Sequence, residues 1–534
     1  MVEISTKGIG KVIFSSSLGT LIEWYDFYIF GMLAKTISAQ FFPEGNDTAA
    51  LLSTLAIFAA GFLVRPFGAL FFGRLGDIVG RKYTFLLTLI LMGGSTFLIG
   101  LVPGYKTIGI VAPLLVLLLR LVQGLALGGE YGGAATYVAE HAPAHRRGYF
   151  TAWIQTTATL GLFIALGVIM LVKNNMTDAS FNAEWGGWRY PFWMSILLVG
   201  VSIYIRLRMN ESPVFAKLKA ENKTSSNPLK ESFGKKENFK MVLLALFGAV
   251  MGQGVIWYTG QFYAQSFLEN TVKIEFIQNR EIMLWAIGLA TPFFLVFGAL
   301  SDKIGRKWIM LTGMLLGVIF YRPIFGELLK SADALEWMKI LDDKHDKKID
   351  YADTYILIKS DTVKVENNYV KIIEESIRTY TYANNTFSKK NRDTLLTKNG
   401  SWKVINTAQS KPVYSNIILS TPLKLKFIFL IWLMIIFVTM VYGPVAAFLV
   451  ELFPTKIRYT SMSLPYHIGN GVFGGLVPFI ATLLSATFTT DPLVGLWYPI
   501  GVAALCFVIG ALYLSNKAPA IFPGGRENLE DVSD

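Results

Sequence analysis

Two acidic residues interrupt an otherwise apolar stretch near the start of the chain, LIEWYDFYIFG at residues 21–31. Glu23 and Asp26 are three positions apart, so they share one face of a helix. Two neighbouring carboxylates in a low-dielectric environment cannot both be ionised cheaply, and at least one would bind a proton. The pair is a candidate for proton coupling. The alternative is that each acid is permanently paired with an arginine or hydrogen-bonded to the backbone.

Two arginines in similar apolar surroundings are candidate substrate ligands. Arg120 and Gln123 share a helix face, and a guanidinium binds a carboxylate through two parallel hydrogen bonds. We expect Arg120 to lie across a central cavity from Asp26, with a static salt bridge as its alternative role. We expect Arg65, which precedes Pro66, either to contact the substrate or to form an ion pair at a cytoplasmic gate.

A histidine and three aromatic residues complete the candidate site. His467 lies in the apolar segment SLPYHIGNGVFGG, and histidine titrates close to neutral pH, so it is a candidate proton carrier. The alternative is a neutral ring bonded to a helix carbonyl. Tyr28, Trp257 and Tyr258 are candidates to line a binding cavity.

The elements that must position these residues are membrane helices. Of the 534 residues, 53% are hydrophobic and 16% charged, which is more apolar than one soluble core requires. The apolar runs last about 20 residues, as a helix crossing the bilayer needs, and lack the period of two that a barrel shows. We predict an all-α protein with twelve spans, near 12–36, 50–73, 83–103, 108–138, 149–172, 191–207, 241–268, 281–300, 309–328, 427–450, 461–486 and 494–514.

Two motifs occur twice and divide the chain into halves of six helices each. GRLGDIVGRK at 73–82 recurs as GALSDKIGRK at 298–307, and EHAPAHRR at 140–147 recurs as ELFPTKIR at 451–458. Their charged residues are candidate gate elements that pair in one state and separate in another, or else purely structural loop residues. These residues are Asp77, Arg81, Glu140 and Arg147 in the first half and Asp302, Arg306, Glu451 and Arg458 in the second.

The wider spacing of the second motif pair reveals an insertion. The predicted organisation is a first half at 1–207, a cytoplasmic linker at 208–240, helices 7–9 at 241–328, an extracytoplasmic insertion at 329–426, and helices 10–12 with a short tail at 427–534. The insertion is polar and contains segments such as TYILIKSDTVKV. These alternate enough for short strands, so the insertion is either a small ordered cap or a flexible loop.

Charge and motif content exclude several classes of function. Lys and Arg concentrate in the loops of one side, so the net charge of +12 reflects membrane topology with both termini in the cytoplasm rather than nucleic-acid binding. The one cysteine, Cys506, excludes an internal disulfide and a multi-cysteine metal site. No phosphate-binding loop or nucleophile–base motif is present, so we predict no enzyme activity, no metal and no cofactor.

The sequence resembles the major facilitator superfamily. The repeated G-x3-D-x2-G-R-K is similar to that superfamily's signature loop, and several segments resemble its metabolite:proton symporters, which include α-ketoglutarate, shikimate, citrate and proline/betaine permeases. The segments are IEWYDFYIFG, RPFGALFFGRLGDIVGRK, LRLVQGLALGGEYGGAATYVAE, ESPVF and YGPVAAFLVELFPTKIRYTSMSLPYHIGNGVFGG. The resemblance covers nearly everything outside the insertion. The short tail lacks the heptads of the osmosensing proline/betaine subtype.

The resemblance implies uptake of a small solute by alternating access, driven by a proton gradient. We expect a monomeric organic-acid symporter of the cytoplasmic (inner) membrane, with a small molecule, protons and the lipid bilayer as its partners. A zwitterion symporter for betaine or proline is the alternative within transport. A non-transporting sensor on the same fold is the alternative outside it, although a sensor has no evident need for both signature loops.

Overall fold

The computed structural model describes residues 9–78, 81–129, 131–207, 228–343, 356–365, 369–398, 404–409, 412–453 and 457–515, which are mostly helical. Before residue 208 the helices are α1 (Ile9–Met32), α2 (Ala34–Phe41), α3 (Asp47–Leu63), α4 (Arg65–Ile78), α5 (Arg81–Ile99), α6 (Tyr105–Ile108), α7 (Val111–Leu127), α8 (Tyr131–His141), α9 (Arg147–Asn174), α10 (Asp178–Asn182) and α11 (Tyr190–Leu207).

The later helices follow the same chain order. They are α12 (Pro228–Gly234), α13 (Lys236–Ala245), α14 (Met251–Tyr258), α15 (Ala264–Asn270), α16 (Phe276–Ile304), α17 (Arg306–Ser331), α18 (Ala334–Asp343), α19 (Thr421–Tyr442), α20 (Val445–Leu452), α21 (Arg458–His467), α22 (Val477–Thr487) and α23 (Trp497–Tyr513). Short 3₁₀ turns cover Ala144–Arg146, Gly187–Arg189 and Val494–Leu496.

Many of these helices are long and apolar enough to cross a membrane. Within the described ranges, nine continuous helical segments meet that description by length and composition: Asp47–Phe72, Val111–Thr136, Arg147–Asn174, Lys236–Asn270, Phe276–Ile304, Arg306–Asp342, Thr421–Leu452, Arg458–Thr487 and Val494–Tyr513. The other three predicted spans fall in α1, α5 and α11, which are also helical. The predicted linker is described only from residue 228 onward.

The chain forms two compact units. Unit 1 contains residues 1–264, 284–323 and 431–534, and unit 2 contains residues 265–283 and 324–430. Glycines let the helices of unit 1 approach closely. A Cβ at Gly61 would lie 3.0 Å from the carbonyl oxygen of Arg120, and one at Gly254 would lie 2.5 Å from that of Gly469. Helix packing of this kind holds α3 against α7 and α14 against the turn after α21.

Among the described residues of unit 1, three π-helical turns cover Leu246–Val250, Thr259–Tyr263 and Ile468–Gly474. Such turns add a residue to the helical repeat and often mark functional positions. The side-chain amides of Gln253 and Asn470 exchange hydrogen bonds of 3.0 and 2.8 Å between α14 and the third turn. These contacts fix the faces of α14 and α21 that look into unit 1.

Unit 2 contains an antiparallel sheet, which agrees with the ordered alternative for the insertion. Its strands are β1 (Ile356–Val365), β2 (Tyr369–Tyr382), β3 (Asn385–Lys398), β4 (Val404–Gln409) and β5 (Val413–Ile418), in the order β1-β2-β3-β4, with β5 also pairing with β3. Ala383 and Asn384 have φ of 47° and 61° and form the two-residue turn that the strand twist favours. Trp337 of α18 packs on Phe387 of β3.

Strand β5 is held by the segment between α15 and α16, within the same unit. The backbone N–H of Ile417 donates to Lys273 and that of Glu275 donates to Ile417, at 3.0 and 2.9 Å. The side-chain amide of Gln278 bonds both the N–H and the carbonyl of Leu419, at 2.7 and 2.9 Å. The end of the insertion is thereby fixed in register against this segment.

Candidate functional site

Arg65 and Arg120, which belong to different helices, are both buried in unit 1. Arg65 is 2% exposed and Arg120 is fully buried. The Nε and Nη2 atoms of both side chains have no hydrogen-bond partner among the described residues. These atoms form the guanidinium edge that can bind a carboxylate through two bonds. Because a buried charge without a partner costs several kcal/mol, the arrangement favours an anionic ligand.

One aromatic ring, that of Phe27, contacts both arginines. The guanidinium carbons of Arg65 and Arg120 are each 4.5 Å from the centroid of Phe27, so they are at most twice that distance apart. Arg65 also lies over Phe62 at 4.1 Å, and Arg120 over Phe30 at 4.5 Å. The positive charges therefore face the negative faces of rings, which offset part of the cost of burial.

Local sequence explains where each arginine sits. Pro66 follows Arg65 directly, and a proline lacks the N–H that would continue the preceding helix while it disfavours helical geometry in the residue before it. Accordingly α3 ends at Leu63 and α4 begins at Arg65. Arg120 lies in the middle of α7, where the absent side chain of Gly61 admits its backbone.

Aromatic residues on α1 and α14 close the other side of this site. Trp257 lies 5.5 Å from Trp24 and 5.8 Å from Tyr28, measured between ring centroids. Tyr258 meets Phe62 edge-to-face at 5.1 Å. Trp257 Nε1 and the hydroxyls of Tyr28 and Tyr258 are buried and have no hydrogen-bond partner among the described residues. The site thus offers several unused donors.

His467 lies at the same depth of burial, 2% exposed. Neither ring nitrogen has a hydrogen-bond partner in the described part of the chain, so the alternative of a bond to a helix carbonyl is not what the structure contains. The neighbouring Tyr466 stacks on Tyr131 with 3.5 Å between centroids, and its hydroxyl is 2.8 Å from that of Tyr442. Gln155 donates to Tyr131 at 2.5 Å.

Asp26 faces α5. It is 1% exposed, and its Oδ1 has no hydrogen-bond partner among the described residues. A Cβ at Gly93 of α5 would lie 3.2 Å from its Oδ2. On a helix Asp26 is about 100° from Phe27, which faces the arginines. Asp26 and Phe27 therefore lie on different faces of α1, and the expected arrangement of Asp26 opposite Arg120 stays a prediction. The side chain of Glu23 lies outside the described residues.

Gln123 supports Arg120 instead of offering free polar atoms. Its Oε1 accepts from Arg120 Nη1 at 2.7 Å, and its Nε2 donates to Thr96 Oγ1 at 2.5 Å. Both ends of the amide are therefore occupied. The prediction that Gln123 contacts the substrate directly does not fit this geometry.

The second signature loop, at the end of α16, is hydrogen-bonded to the start of α9 within unit 1. Asp302 accepts hydrogen bonds from the backbone N–H groups of Gly148 and Tyr149, at 2.8 and 2.9 Å. These groups belong to the first turn of α9, where unpaired N–H groups and the helix dipole favour a negative charge. Asp302 of the second signature loop therefore contacts the residues that directly follow the EHAPAHRR motif.

Ion pairs extend this contact. Arg306 bonds Asp302 at 2.6 Å and Glu451 at 3.0 Å, and Arg147 lies 3.7 Å from Glu451. Arg458 donates to the carbonyl of Phe453 at 3.1 Å. The side chains of the remaining three candidate gate residues lie outside the described part of the chain: Asp77, Arg81 and Glu140.

Comparisons with known proteins identify the family. The family model described as "Sugar (and other) transporter" matches residues 12–241. The inner membrane metabolite transport protein YhjE of Escherichia coli is 38% identical over 61% of this chain and 74% of its own length. The α-ketoglutarate permease of the same organism is 38% identical over 59% of this chain and 71% of its own length.

This chain belongs to the metabolite transporters of the major facilitator superfamily. The resemblance inferred from the signature loops is thereby confirmed. The proline/betaine transporter of Escherichia coli is 33% identical over 59% of this transporter and 64% of its own length. The xylose transporter XylE of Escherichia coli, in a partially occluded inward open conformation, has a TM-score of 0.61 at 14% identity and covers 97% of this chain and 100% of its own. At that identity the similarity shows the fold alone.

Sequence reasoning missed several residues of this transporter's site. Phe27 shares a helix face with Trp24 and Tyr28, and that spacing was the available signal. Thr96, Tyr131 and Gln155 carry no signal of their own in the sequence. They join the site only because α5, α8 and α9 pack around α1 and α7.

Proposed function

We propose that this transporter is a proton-coupled symporter that imports a small organic anion by alternating access, with a short dicarboxylate as the class that fits best. The observation that carries the proposal is the pair of buried arginines, Arg65 and Arg120, with their Nε–Nη2 edges unoccupied. Two fixed positive charges without a described counter-ion are best neutralised by a dianion. The α-ketoglutarate permease, a relative at 38% identity, supports this class by its name.

The guanidinium groups of Arg65 and Arg120 are close enough together to bind the two ends of a short ligand. Both guanidinium carbons lie 4.5 Å from the centroid of Phe27. A short dicarboxylate can place one carboxylate on each guanidinium edge, and each contact is a charge-assisted pair of hydrogen bonds. The unused donors of Tyr28, Trp257 and Tyr258 can then bind the oxygens that remain.

A zwitterion such as betaine or proline is the second candidate. Trp24, Tyr28 and Trp257 form an aromatic group with centroids 5.1–5.8 Å apart, and such rings attract quaternary ammonium groups. The proline/betaine relative supports this reading. A zwitterion has no net charge, because its ammonium offsets its carboxylate. It therefore leaves the positive charge of the two buried arginines uncompensated.

We assign the transported proton to Asp26, with Glu23 and His467 as further candidates. Asp26 is buried without a described cation beside it, which favours a protonated acid. Because it lies on another face of α1 than Phe27, protonation would act on the substrate through movement of α1 and not through a direct ion pair.

The signature network is the proposed cytoplasmic gate, formed by Asp302, Arg306, Glu451 and Arg147. In this scheme twelve helices form two halves, at 1–207 and at 241–328 with 427–534, joined by a cytoplasmic linker at 208–240. The insertion at 329–426, between helices 9 and 10, lies outside the cytoplasm. The protein is a monomer of the cytoplasmic membrane, and both termini are cytoplasmic.

Uptake into proteoliposomes tests the proposal. Purified protein is screened with α-ketoglutarate, a monocarboxylate and betaine at several pH values. We expect α-ketoglutarate to accumulate with an inward proton gradient, and Arg65→Lys or Arg120→Lys to raise KM about tenfold, because lysine keeps the charge but loses the two-bond edge. Arg322→Lys is the matched control, since Arg322 is paired with Asp491 at 2.7 Å. Accumulation of betaine without any carboxylate would overturn the proposal.

A further inference from the structure

A chain of hydrogen bonds runs from α5 to the arginine in α7. Thr96 Oγ1 donates to the carbonyl of Met92 at 3.0 Å and accepts from Gln123 Nε2 at 2.5 Å. Gln123 Oε1 in turn accepts from Arg120 Nη1 at 2.7 Å. Thr96, Gln123 and Arg120 are all fully buried.

The direction of this chain follows from the number of hydrogens. A hydroxyl has one hydrogen, and that of Thr96 is used on the carbonyl of Met92. Its oxygen can then only accept, so the amide of Gln123 must present its nitrogen to Thr96. The amide oxygen is left facing Arg120, the one orientation that a guanidinium can bond.

The orientation decides which part of Arg120 is free. With Nη1 bonded to Gln123, the Nε–Nη2 edge remains without a partner among the described residues. The neutral amide of Gln123 holds the guanidinium and leaves its positive charge intact. A carboxylate at position 123 would instead neutralise that charge. The chain of bonds thus fixes the guanidinium and leaves its full charge to a ligand.

We propose that Thr96 is a positioning residue for substrate binding: acting through Gln123, it fixes the guanidinium of Arg120 so that its Nε–Nη2 edge faces the substrate carboxylate. This inference rests on the proposed function, because it needs an anionic substrate at Arg120. Thr96 itself touches no substrate. Its role is to prevent rotation of the Gln123 amide, which would turn donors toward the guanidinium and displace it.

Uptake kinetics of Thr96→Val and Thr96→Ser test this role, with α-ketoglutarate as the probe. Valine has nearly the same shape but neither accepts nor donates, so we expect KM to rise about tenfold with a smaller change in kcat. Serine keeps the hydroxyl and should restore KM to within about threefold of the wild-type value. If Thr96→Val does not fold, Thr96→Ala removes the same hydroxyl with less bulk and takes its place.

The matched control is Ser95→Ala on the same helix. Ser95 Oγ donates to the carbonyl of Leu91 at 2.6 Å, which is the same type of bond, but Ser95 has no hydrogen bond to Gln123. We expect its KM to be unchanged. A double-mutant cycle adds a second readout: Thr96→Val should have little further effect in a Gln123→Leu background, because the two act in series.

Each outcome separates the two hypotheses. If the wild type transports α-ketoglutarate and Thr96→Val lowers only the amount of folded protein or kcat, with KM unchanged, Thr96 is merely structural and this inference is wrong. Additive effects in the double mutant would contradict it as well. If the wild type neither binds nor transports any short carboxylate, the proposed function fails, and the inference fails with it.

Discussion

At the scale of single residues, the unusual feature is that Nε and Nη2 of Arg65 and of Arg120 have no carboxylate partner among the described residues. Desolvating a charged group costs several kcal/mol per ion, whereas a cation–π contact returns about 0.5–2 kcal/mol. The rings of Phe27 and Phe62 therefore cannot balance the burial of both arginines. A site that is incomplete by itself gains the most from a ligand of opposite charge.

The position of Asp26 on a different face of α1 from Phe27 leads to a prediction about coupling. We expect Asp26→Asn to abolish proton-driven accumulation, because asparagine cannot exchange a proton, while exchange of external for internal α-ketoglutarate continues because Arg65 and Arg120 are intact. Accumulation and exchange are measured in the same proteoliposomes. Asp47→Asn is the control, since Asp47 is exposed at the start of α3. Full accumulation by Asp26→Asn would show that another group carries the proton.

At the scale of elements, charged residues of the second signature loop form hydrogen bonds with the ends of two other helices. Asp302 accepts from the first turn of α9, and Lys307 donates to the carbonyls of Ala511 and Leu514 at the end of α23, at 2.8 and 2.7 Å. A negative charge thus meets a helix N-terminus and a positive charge meets a C-terminus, as the helix dipoles favour. In this copy of the motif, the acid and the final lysine thus each contact the end of another helix.

The contact of Asp302 with α9 should stabilise the closed state of this end. Replacing Asp302 with Asn removes the charge, and the interaction of a charge with a helix end is about 0.3–2 kcal/mol. The reporter is Ser463→Cys, because Ser463 packs against Gly132 of α8. We expect this cysteine to react with a thiol reagent roughly two- to tenfold faster when Asp302→Asn is also present than in the Ser463→Cys parent. The chain's own cysteine, Cys506, is buried, so the background is low.

The control for this experiment is Asp333→Asn. Asp333 accepts from the N–H groups of Leu335 and Glu336 in the first turn of α18, at 3.0 and 3.1 Å. It is therefore a helix cap of the same kind in unit 2. Equal labelling rates in Asp302→Asn and in its parent would mean that Asp302 has no part in keeping this end closed.

At the scale of the whole molecule, the candidate site belongs to unit 1 alone. Every residue assigned to substrate, proton or gate lies within 1–264, 284–323 or 431–534. Unit 2 instead has a sheet with its own aromatic contacts, such as Trp337 with Phe387. It fixes the end of the insertion through β5, Gln278 and Leu419.

This organisation predicts the effect of removing the sheet. Deleting 344–411 removes β1 to β4 but keeps β5 and its bonds to the segment between α15 and α16. We expect the KM for uptake to stay within about twofold of the wild-type value while the melting temperature falls. Deleting 332–422 also removes the partners of Glu275 and Gln278, and we expect a poorly folded protein. A folded 344–411 deletion without uptake would assign the sheet a part in transport.

The sequence alone predicted apolar helices, the repeated motifs and the two arginines as candidate ligands, while the family followed from a resemblance of those motifs to known transporters. These features depend on composition, on spacing along one helix and on the high cost of placing charge in a bilayer, all of which are local. Alternation over a few residues, as in β1, indicated short strands in the insertion but left a flexible loop open as the alternative.

Only the tertiary structure decided which charged groups meet. The spacing of Glu23 and Asp26 could not reveal that Asp26 turns toward α5 while Phe27 meets the arginines, since that depends on the rotation of α1 in its packing. Thr96 could not be linked to Arg120 either, because the link passes through Gln123 and the contact of α5 with α7. Contacts between helices far apart in the sequence depend on packing, and packing is set by the whole molecule.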